Sequence, residues 1–440
     1  MDSFDVIVVG GRCAGSALAI YLARAGIQAC VVDKATFPSE TPSTHVVHPR
    51  GVAILADVGV LTSVLAEGAA QLDRMTLEYD DVRIDGFLGD EFSFPGLNVR
   101  RTVLDHALQQ EAKRSGVEVR TGCRVNGVRR SNGRVVGVET ADGPLVAPVV
   151  VGADGRGSIV AKSVAAREYL VKPAGRIPVW GYFAAGPQEP RLRVGIKGNL
   201  GFLASPTDSN LYLAGVTVDR RDAGDFQRER EANFCAALRA WPEIDGIVRG
   251  TRREGPLRVM ANWHNYFRES AGPGWVLVGD AGHFKDFTPA QGIADALCQA
   301  KSLAGVIVGT FGAPAADEAL RCWWRARDRS HRDMYWFALQ MGRAGMSSPL
   351  TAEVLHRISD DPHGATTLLK VLNHDLPSSA LLTPRRLVAA TYTTLRKHPH
   401  RMWTTLAEIG GELAVEVDKQ RARHRSYRAW RGFGPADACG

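Results

Sequence analysis

The first apolar positions form an unbroken run, Val6-Ile7-Val8-Val9, followed by a glycine-bearing turn at residues 10–15. Small and aliphatic residues then recur at helical spacing through Ser16-Ala17-Leu18-Ala19-Ile20-Tyr21-Leu22-Ala23, and Ala29-Cys30-Val31-Val32-Asp33 is apolar again. Strand, turn, helix, strand in that order predicts a βαβ unit on a buried parallel sheet, with Gly26 placed to end the helix. Further along, Leu104–Ala112 has helical spacing, whereas Val117–Arg120 and Arg134–Glu139 alternate like strands. Val149-Val150-Val151, directly after Pro148, reads as a short buried strand returning to the first sheet. Between Ile177 and Val218, alternating runs separated by turn residues such as Thr207-Asp208-Ser209-Asn210 predict an antiparallel sheet in a second, substrate-covering lobe. Trp275-Val276-Leu277-Val278 is another buried strand, and beyond about Leu303 the pattern is helical to the chain end.

Composition changes this picture little. Hydrophobic residues at 45% and charged residues at 23% match ordinary globular usage. No stretch carries the roughly 18 uninterrupted apolar residues of a membrane helix, so no membrane partner is expected. The acidic start, Met1-Asp2-Ser3-Phe4-Asp5, does not look like a secretory signal, and a cytoplasmic protein is expected. The seven cysteines (Cys13, Cys30, Cys123, Cys235, Cys298, Cys322 and Cys439) are scattered, without paired spacing, which predicts thiols and no metal site. The net charge of +7 gathers partly at Arg325–Arg329 and Lys419–Arg425. No nucleic-acid-binding module accompanies these clusters, so they read as solvated helix faces and no nucleic-acid partner is expected.

The turn Gly10-Gly11-Arg12-Cys13-Ala14-Gly15 carries the first chemistry. A dinucleotide pyrophosphate is held by backbone N–H groups at a helix N-terminus, and glycines allow the tight turn and the close approach. Gly10 and Gly15 take the outer positions of the G-x-G-x-x-G pattern. Arg12 replaces the middle glycine, offering charge to the phosphates while its backbone lines the loop. Asp33, followed by Lys34, ends the next strand roughly 20 residues on, where a carboxylate accepts from ribose hydroxyls.

With these residues the chain resembles the flavoprotein monooxygenases of the p-hydroxybenzoate hydroxylase type, and the likeness continues at two distant places. Gly152-Ala153-Asp154-Gly155-Arg156-Gly157-Ser158 is similar to that family's Asp-Gly motif, although Ala161-Lys162 stands where the motif ends in arginine. Gly279-Asp280-Ala281-Gly282-His283, with Gln291-Gly292-Ile293 after it, is similar to the Gly-Asp motif. The resemblance implies that Asp154 sits near the FAD pyrophosphate and a nicotinamide's approach route. It also implies that Asp280 meets the ribityl chain, and that Gly292 and Ile293 open a helix facing the flavin. Arg101, in Arg101-Thr102-Val103-Leu104, corresponds to the family's nucleotide-contacting arginine, with Arg100 a neighbour that could serve instead, and Val125 falls at the adenine. His45 precedes a helix that lies near the flavin in relatives and is a candidate for the active site, alongside its reading as a structural histidine. Two departures set this chain apart: Asp286-Phe287 replaces Pro-Pro, and Ala294 replaces an asparagine.

The implied fold class is α/β: a Rossmann-like FAD-binding domain with a parallel sheet (1–72, 97–165 and 270–320), an antiparallel-sheet substrate domain (73–96 and 166–269) and a helical C-terminal region (321–440). The implied activity is that of an FAD-dependent monooxygenase in which NADH or NADPH acts as transient reductant and O2 adds to the flavin to form a C4a-hydroperoxide. That oxygen would pass to an aromatic or polycyclic small molecule. Lys285 and Asp286 are the residues expected to shape the reaction beside His45, and Trp180, Tyr182, Phe183 and Phe202 are candidates for the substrate wall. Two rivals stay open: a reductase of carbon–carbon double bonds similar to geranylgeranyl reductases, and a non-catalytic FAD redox sensor. A halogenase fits less well, because no Trp-x-Trp-x-Ile-Pro segment is present.

Overall fold

The computed structural model describes residues 2–410, apart from 90, 404, 405 and 408. The basic cluster Lys419–Arg425, Cys439 and the end of the expected helical region lie outside the described residues.

A six-stranded sheet forms the first lobe, in the order Ala271–Gly272, Trp275–Leu277, Val149–Gly152, Val6–Val9, Ala29–Asp33, Glu118–Thr121. All its pairings are parallel except the short one at Ala271–Gly272. The valine runs are fully buried because the helices Cys13–Arg24, Arg101–Arg114 and Gly292–Thr310 cover one face of this sheet, while Val125, Val135, Val138 and Leu145 of a second sheet, with Val160 and Ala161, cover the other. Val149–Gly152 pairs with Val6–Val9 in register and Trp275–Leu277 pairs with Val150–Gly152. Gly10, Asp154 and Asp280 therefore all leave the carboxyl ends of neighbouring strands, where the strand order reverses. That is the place where open α/β sheets bind ligands. Arg134–Thr140 joins a separate four-stranded sheet with Val125–Ser131.

The second lobe is a seven-stranded sheet: Arg253–Val259, Arg176–Phe183, Tyr212–Asp219, Leu200–Pro206, Arg191–Lys197, Arg74–Tyr79, Val82–Phe87. It is antiparallel with one exception, since Arg191–Lys197 runs parallel to Arg74–Tyr79. These two strands come from segments more than a hundred residues apart, so no hairpin fixes their direction.

Two helices matter for the site. Gly292–Thr310 is long and apolar enough to cross a membrane by length and composition alone. Here Leu297, Ala300 and Leu303 are buried in one core with Ala17, Leu18 and Ile20 of the helix Cys13–Arg24, so its apolar surface is spent inside the fold. The second is Ala316–Met341, whose Met334 and Phe337 pack in one cluster with Leu77, Leu192, Leu350 and Leu368. Through it the helices Pro349–Ser359 and Gly364–Leu372 close over the second sheet.

Candidate active site

The glycine turn is shaped by exclusion. Gly10 adopts φ +104°, which disfavours any side chain, and a Cβ there would meet the Ala153 backbone. A Cβ at Gly15 would overlap the Gly10 carbonyl oxygen, so the helix Cys13–Arg24 can approach its strand only with glycine at this position. Asp33 clamps the turn: Gly11 N donates to Oδ2 at 2.7 Å and Ala35 N donates to Oδ1 at 2.8 Å. Each carboxylate oxygen keeps a further lone pair for a hydroxyl.

Arg12 does not point its charge freely at the turn. Its guanidinium pairs with Asp105 at 2.7 Å and donates to Ser39 Oγ at 2.8 Å. Asp105 is fully buried and also holds Arg101 at 2.8 Å, fixing both cations at the cradle. Of the two neighbouring arginines, Arg101 lines the cavity, whereas Arg100 turns to Asp208 of the second lobe at 2.7 Å. Asp105 escaped the sequence reading, although its place four residues after Arg101 on a helix was a signal.

One cavity of about 2020 Å³ runs from this cradle into the second lobe. Its wall includes Gly10, Arg12, Cys13, Ala14, Asp33, Lys34, Arg101, Val125, Asp154, Asp280, Lys285, Asp286, Gly292 and Ile293. Gly11 and Gly15 stand behind it. Ligand cavities usually span roughly 300–1,000 Å³, so this one has room for a dinucleotide and a second large molecule.

The acceptors expected for a flavin nucleotide are present, and each keeps oxygen lone pairs unused. Asp154 Oδ2 takes the Ile159 N–H at 2.6 Å, while Oδ1 is buried with no hydrogen-bond partner. Burial raises this carboxyl above its usual range. The Asp280 carboxylate accepts no hydrogen bond among the described residues, and burial pushes it up to about 6 against the pull of Arg156 and Arg101. Hydroxyls of a ribityl chain or ribose would satisfy both acceptors, so the residues fit FAD.

Beside Asp280 lies a buried charge hub. Asp295, in the first turn of Gly292–Thr310, pairs with both Lys285 and Arg50. Burial alone would raise the Asp295 carboxyl, yet these two cations hold it well below the carboxylate range. His331 and His374 stand 3.9 and 3.7 Å from the same carboxylate. Burial lowers both histidines, His331 to about 4, so they are neutral at pH 7 and the hub carries one net positive charge. Lys285 is also lowered by burial, partly offset by Asp295.

Asp286 accepts from Thr288 N at 2.9 Å and Thr288 Oγ1 at 2.6 Å, and burial pushes it up to about 6. Its carboxylate rests against Gly342, where a Cβ would collide with it.

Some expected residues stand elsewhere. His45 is not in the cavity wall: it has φ +63°, and its Nε2 shares a hydrogen bond with the Tyr182 hydroxyl. Burial lowers it to about 3, leaving a neutral ring wedged between the lobes. Trp180 and Phe202 line the cavity, whereas Tyr182 is occupied by His45 and Phe183 stacks on Phe234 in the core. Cys13, Cys30, Cys123, Cys235 and Cys298 are free thiols, whereas Cys322 is disulfide-bonded, which corrects the expectation of thiols throughout; no metal-binding group of side chains occurs among the described residues.

Comparison with known proteins bears on the same cradle. The family described as "FAD binding domain" matches residues 3–327. The chain belongs to that family, the p-hydroxybenzoate hydroxylase type of flavoprotein. It is thus an FAD-dependent oxidoreductase. The flavoprotein is 31% identical over 300 residues to the menaquinone reductase of Mycolicibacterium smegmatis, covering 63% of this chain and 69% of that protein. Among solved structures it shares the fold of the flavin-dependent brominase Bmp2, with TM-score 0.72, 18% identity and coverage of 90% and 100%. PqsL of Pseudomonas aeruginosa, described as a probable FAD-dependent monooxygenase, matches with TM-score 0.67, 19% identity and coverage of 88% and 99%.

Proposed function

We propose that this flavoprotein is a monooxygenase that uses NADH or NADPH and O2 to oxygenate a large aromatic or polycyclic molecule. The observation that carries the reading is the apolar chamber continuous with the cradle, walled by Trp180, Phe202, Phe287 and Phe337 just beyond Lys285 and Asp286. When bound, FAD supplies the electron transfer between nicotinamide, oxygen and substrate. The chain's own residues do the rest. Asp280 and Asp154 accept hydrogen bonds from the nucleotide's hydroxyls, and Arg101, held by Asp105, offers positive charge to its phosphates. The N-terminus of Gly292–Thr310, with the hub of Lys285, Arg50 and Asp295, would offer positive potential to negative charge on a bound flavin. The aromatic walls orient the substrate face and keep water out. Lys285, at the boundary between hub and chamber, is the group placed to hold or deliver a proton there. His45, bound to Tyr182 behind the wall, takes no part.

A second reading, reduction of a carbon–carbon double bond, draws on the likeness to the menaquinone reductase and on the length of the apolar channel, which continues past Leu350, Val354 and Leu368. Flavin-loaded protein with NADPH or NADH and candidate substrates separates the two. Substrate-stimulated O2 uptake matching NAD(P)H loss is the expected result. Equal turnover under anaerobic conditions transfers the assignment to the reductase, and substrate-independent behaviour under both conditions removes both enzymatic readings.

A further inference from the structure

The helix Pro384–Lys397 is built inside out. Thr383 caps it, accepting from Arg386 N at 3.2 Å, and its inward contacts are largely polar. Arg386 pairs with Asp361 at 2.8 Å, Thr393 accepts from Arg357 at 2.8 Å and Lys397 pairs with Glu353 at 3.0 Å. Ala390 is buried in the core, whereas Leu387, Val388 and Tyr392 point the other way. Val388 is 71% exposed and Tyr392 68%, with Leu387 one helical turn from Thr391 on the same side. Trp403, 77% exposed, and Leu406 are further exposed apolar residues after the helix. A helix that only completed a fold would present the opposite arrangement.

This face is also a doorway. Leu387, Val388, Tyr392 and Leu395 line the outer end of the large cavity, so the apolar channel opens onto it. Cations flank it: Arg385 and Arg396 are exposed and form no ion pair among the described residues, at either end of the same helix.

We propose that the face of Pro384–Lys397 docks on the surface of an anionic lipid bilayer, which sets the cavity mouth against the lipid. Aliphatic residues buried at the headgroup boundary, Tyr and Trp at its edge and arginines reaching lipid phosphates are what such a surface recognises. The helix has 14 residues, so it lies on the surface and does not span it. The inference does not depend on which flavin reaction takes place inside.

Cosedimentation of the full-length, FAD-loaded chain with phosphatidylcholine vesicles, with and without phosphatidylglycerol, tests it. The chain should sediment with phosphatidylglycerol vesicles at low salt and be partly released by added salt. Val388→Asp combined with Tyr392→Asp should weaken binding at least about tenfold. Arg385→Glu combined with Arg396→Glu should weaken binding to the anionic vesicles and leave any binding to phosphatidylcholine unchanged. Retained flavin absorbance and an unchanged melting temperature show that the variants are folded. The proposal is overturned if the parent stays in the supernatant with anionic vesicles, as it would were residues 411–440 to cover the face. It is overturned equally if the aspartate variant binds like the parent, or if that variant converts a dimer into a monomer, which would make the occupant a second copy.

Discussion

The cradle for the flavin nucleotide and the chamber beyond it share one cavity but are held by different means. In the cradle, short loops leave adjacent parallel strands, and close backbone approach shapes the turn, Gly10 against Ala153 and Gly15 against Gly10, with the Asp33 carboxylate holding Gly11. In the chamber, walls come from Leu77, Trp180, Phe337 and Leu350, which are spread over more than 270 residues and meet only by side-chain packing. A backbone cradle tolerates almost no added atom. A packed wall adapts, and changes in it should alter what binds before they alter whether the protein folds.

Gly15→Val separates the two regions most sharply. Its side chain would collide with the Gly10 carbonyl and push the helix Cys13–Arg24 off the sheet. Loss of FAD from the purified protein, read as absorbance near the flavin band, is the expected outcome, with much of the chain insoluble. Full flavin retention would show that close helix–strand approach does not hold the cradle.

Asp295→Asn strikes the seam between the regions. It leaves Lys285 as a buried cation and Arg50 as a half-buried one without that carboxylate, and breaking a buried pair costs about 3–5 kcal/mol in comparable sites. Chemical denaturation should show a loss of that order, and adding Lys285→Met should recover part of it, because one uncompensated charge is then removed. Additive losses in the double variant would mean that the hub is not a unit.

What the sequence made legible follows the same division. Gly10, Asp154 and Asp280 each sit directly after an apolar run, so local pattern alone brought them to one sheet edge. Arg12 was visible as a departure from the glycine pattern, but its attachment to Asp105 was not, since that partner lies 93 residues away. Asp295 carries no mark in the linear sequence, because its partner Arg50 lies 245 residues away and Lys285 reaches it only through the fold. Alternation marked Trp180 and Tyr182 equally, because alternation reports which face is buried and not whether a cavity or a core lies there. His45 shows the limit for single residues: burial beside Tyr182, invisible in a linear reading, removed it from the wall. The one parallel pair in the second sheet was likewise set by packing between distant segments.

Asp286 offers the smallest and most selective test, at the floor of the chamber. Burial lifts its carboxyl to about 6, so the folded protein prefers it protonated while the unfolded chain ionises it near 4. Its contribution is therefore most favourable below about pH 4 and is lost as pH rises through about 6, costing up to about 3 kcal/mol at neutral pH. Asp286→Asn removes the charge and keeps an oxygen for Thr288. The variant should match the parent in stability at pH 4, exceed it at pH 7.5 and show a flatter rise and fall between, as read from melting temperatures across that range. Should the variant instead be less stable at pH 7.5, the ionised carboxylate must be paired more strongly than Arg176 and Thr288 allow, and the chamber floor would be held by charge like the hub and not by packing.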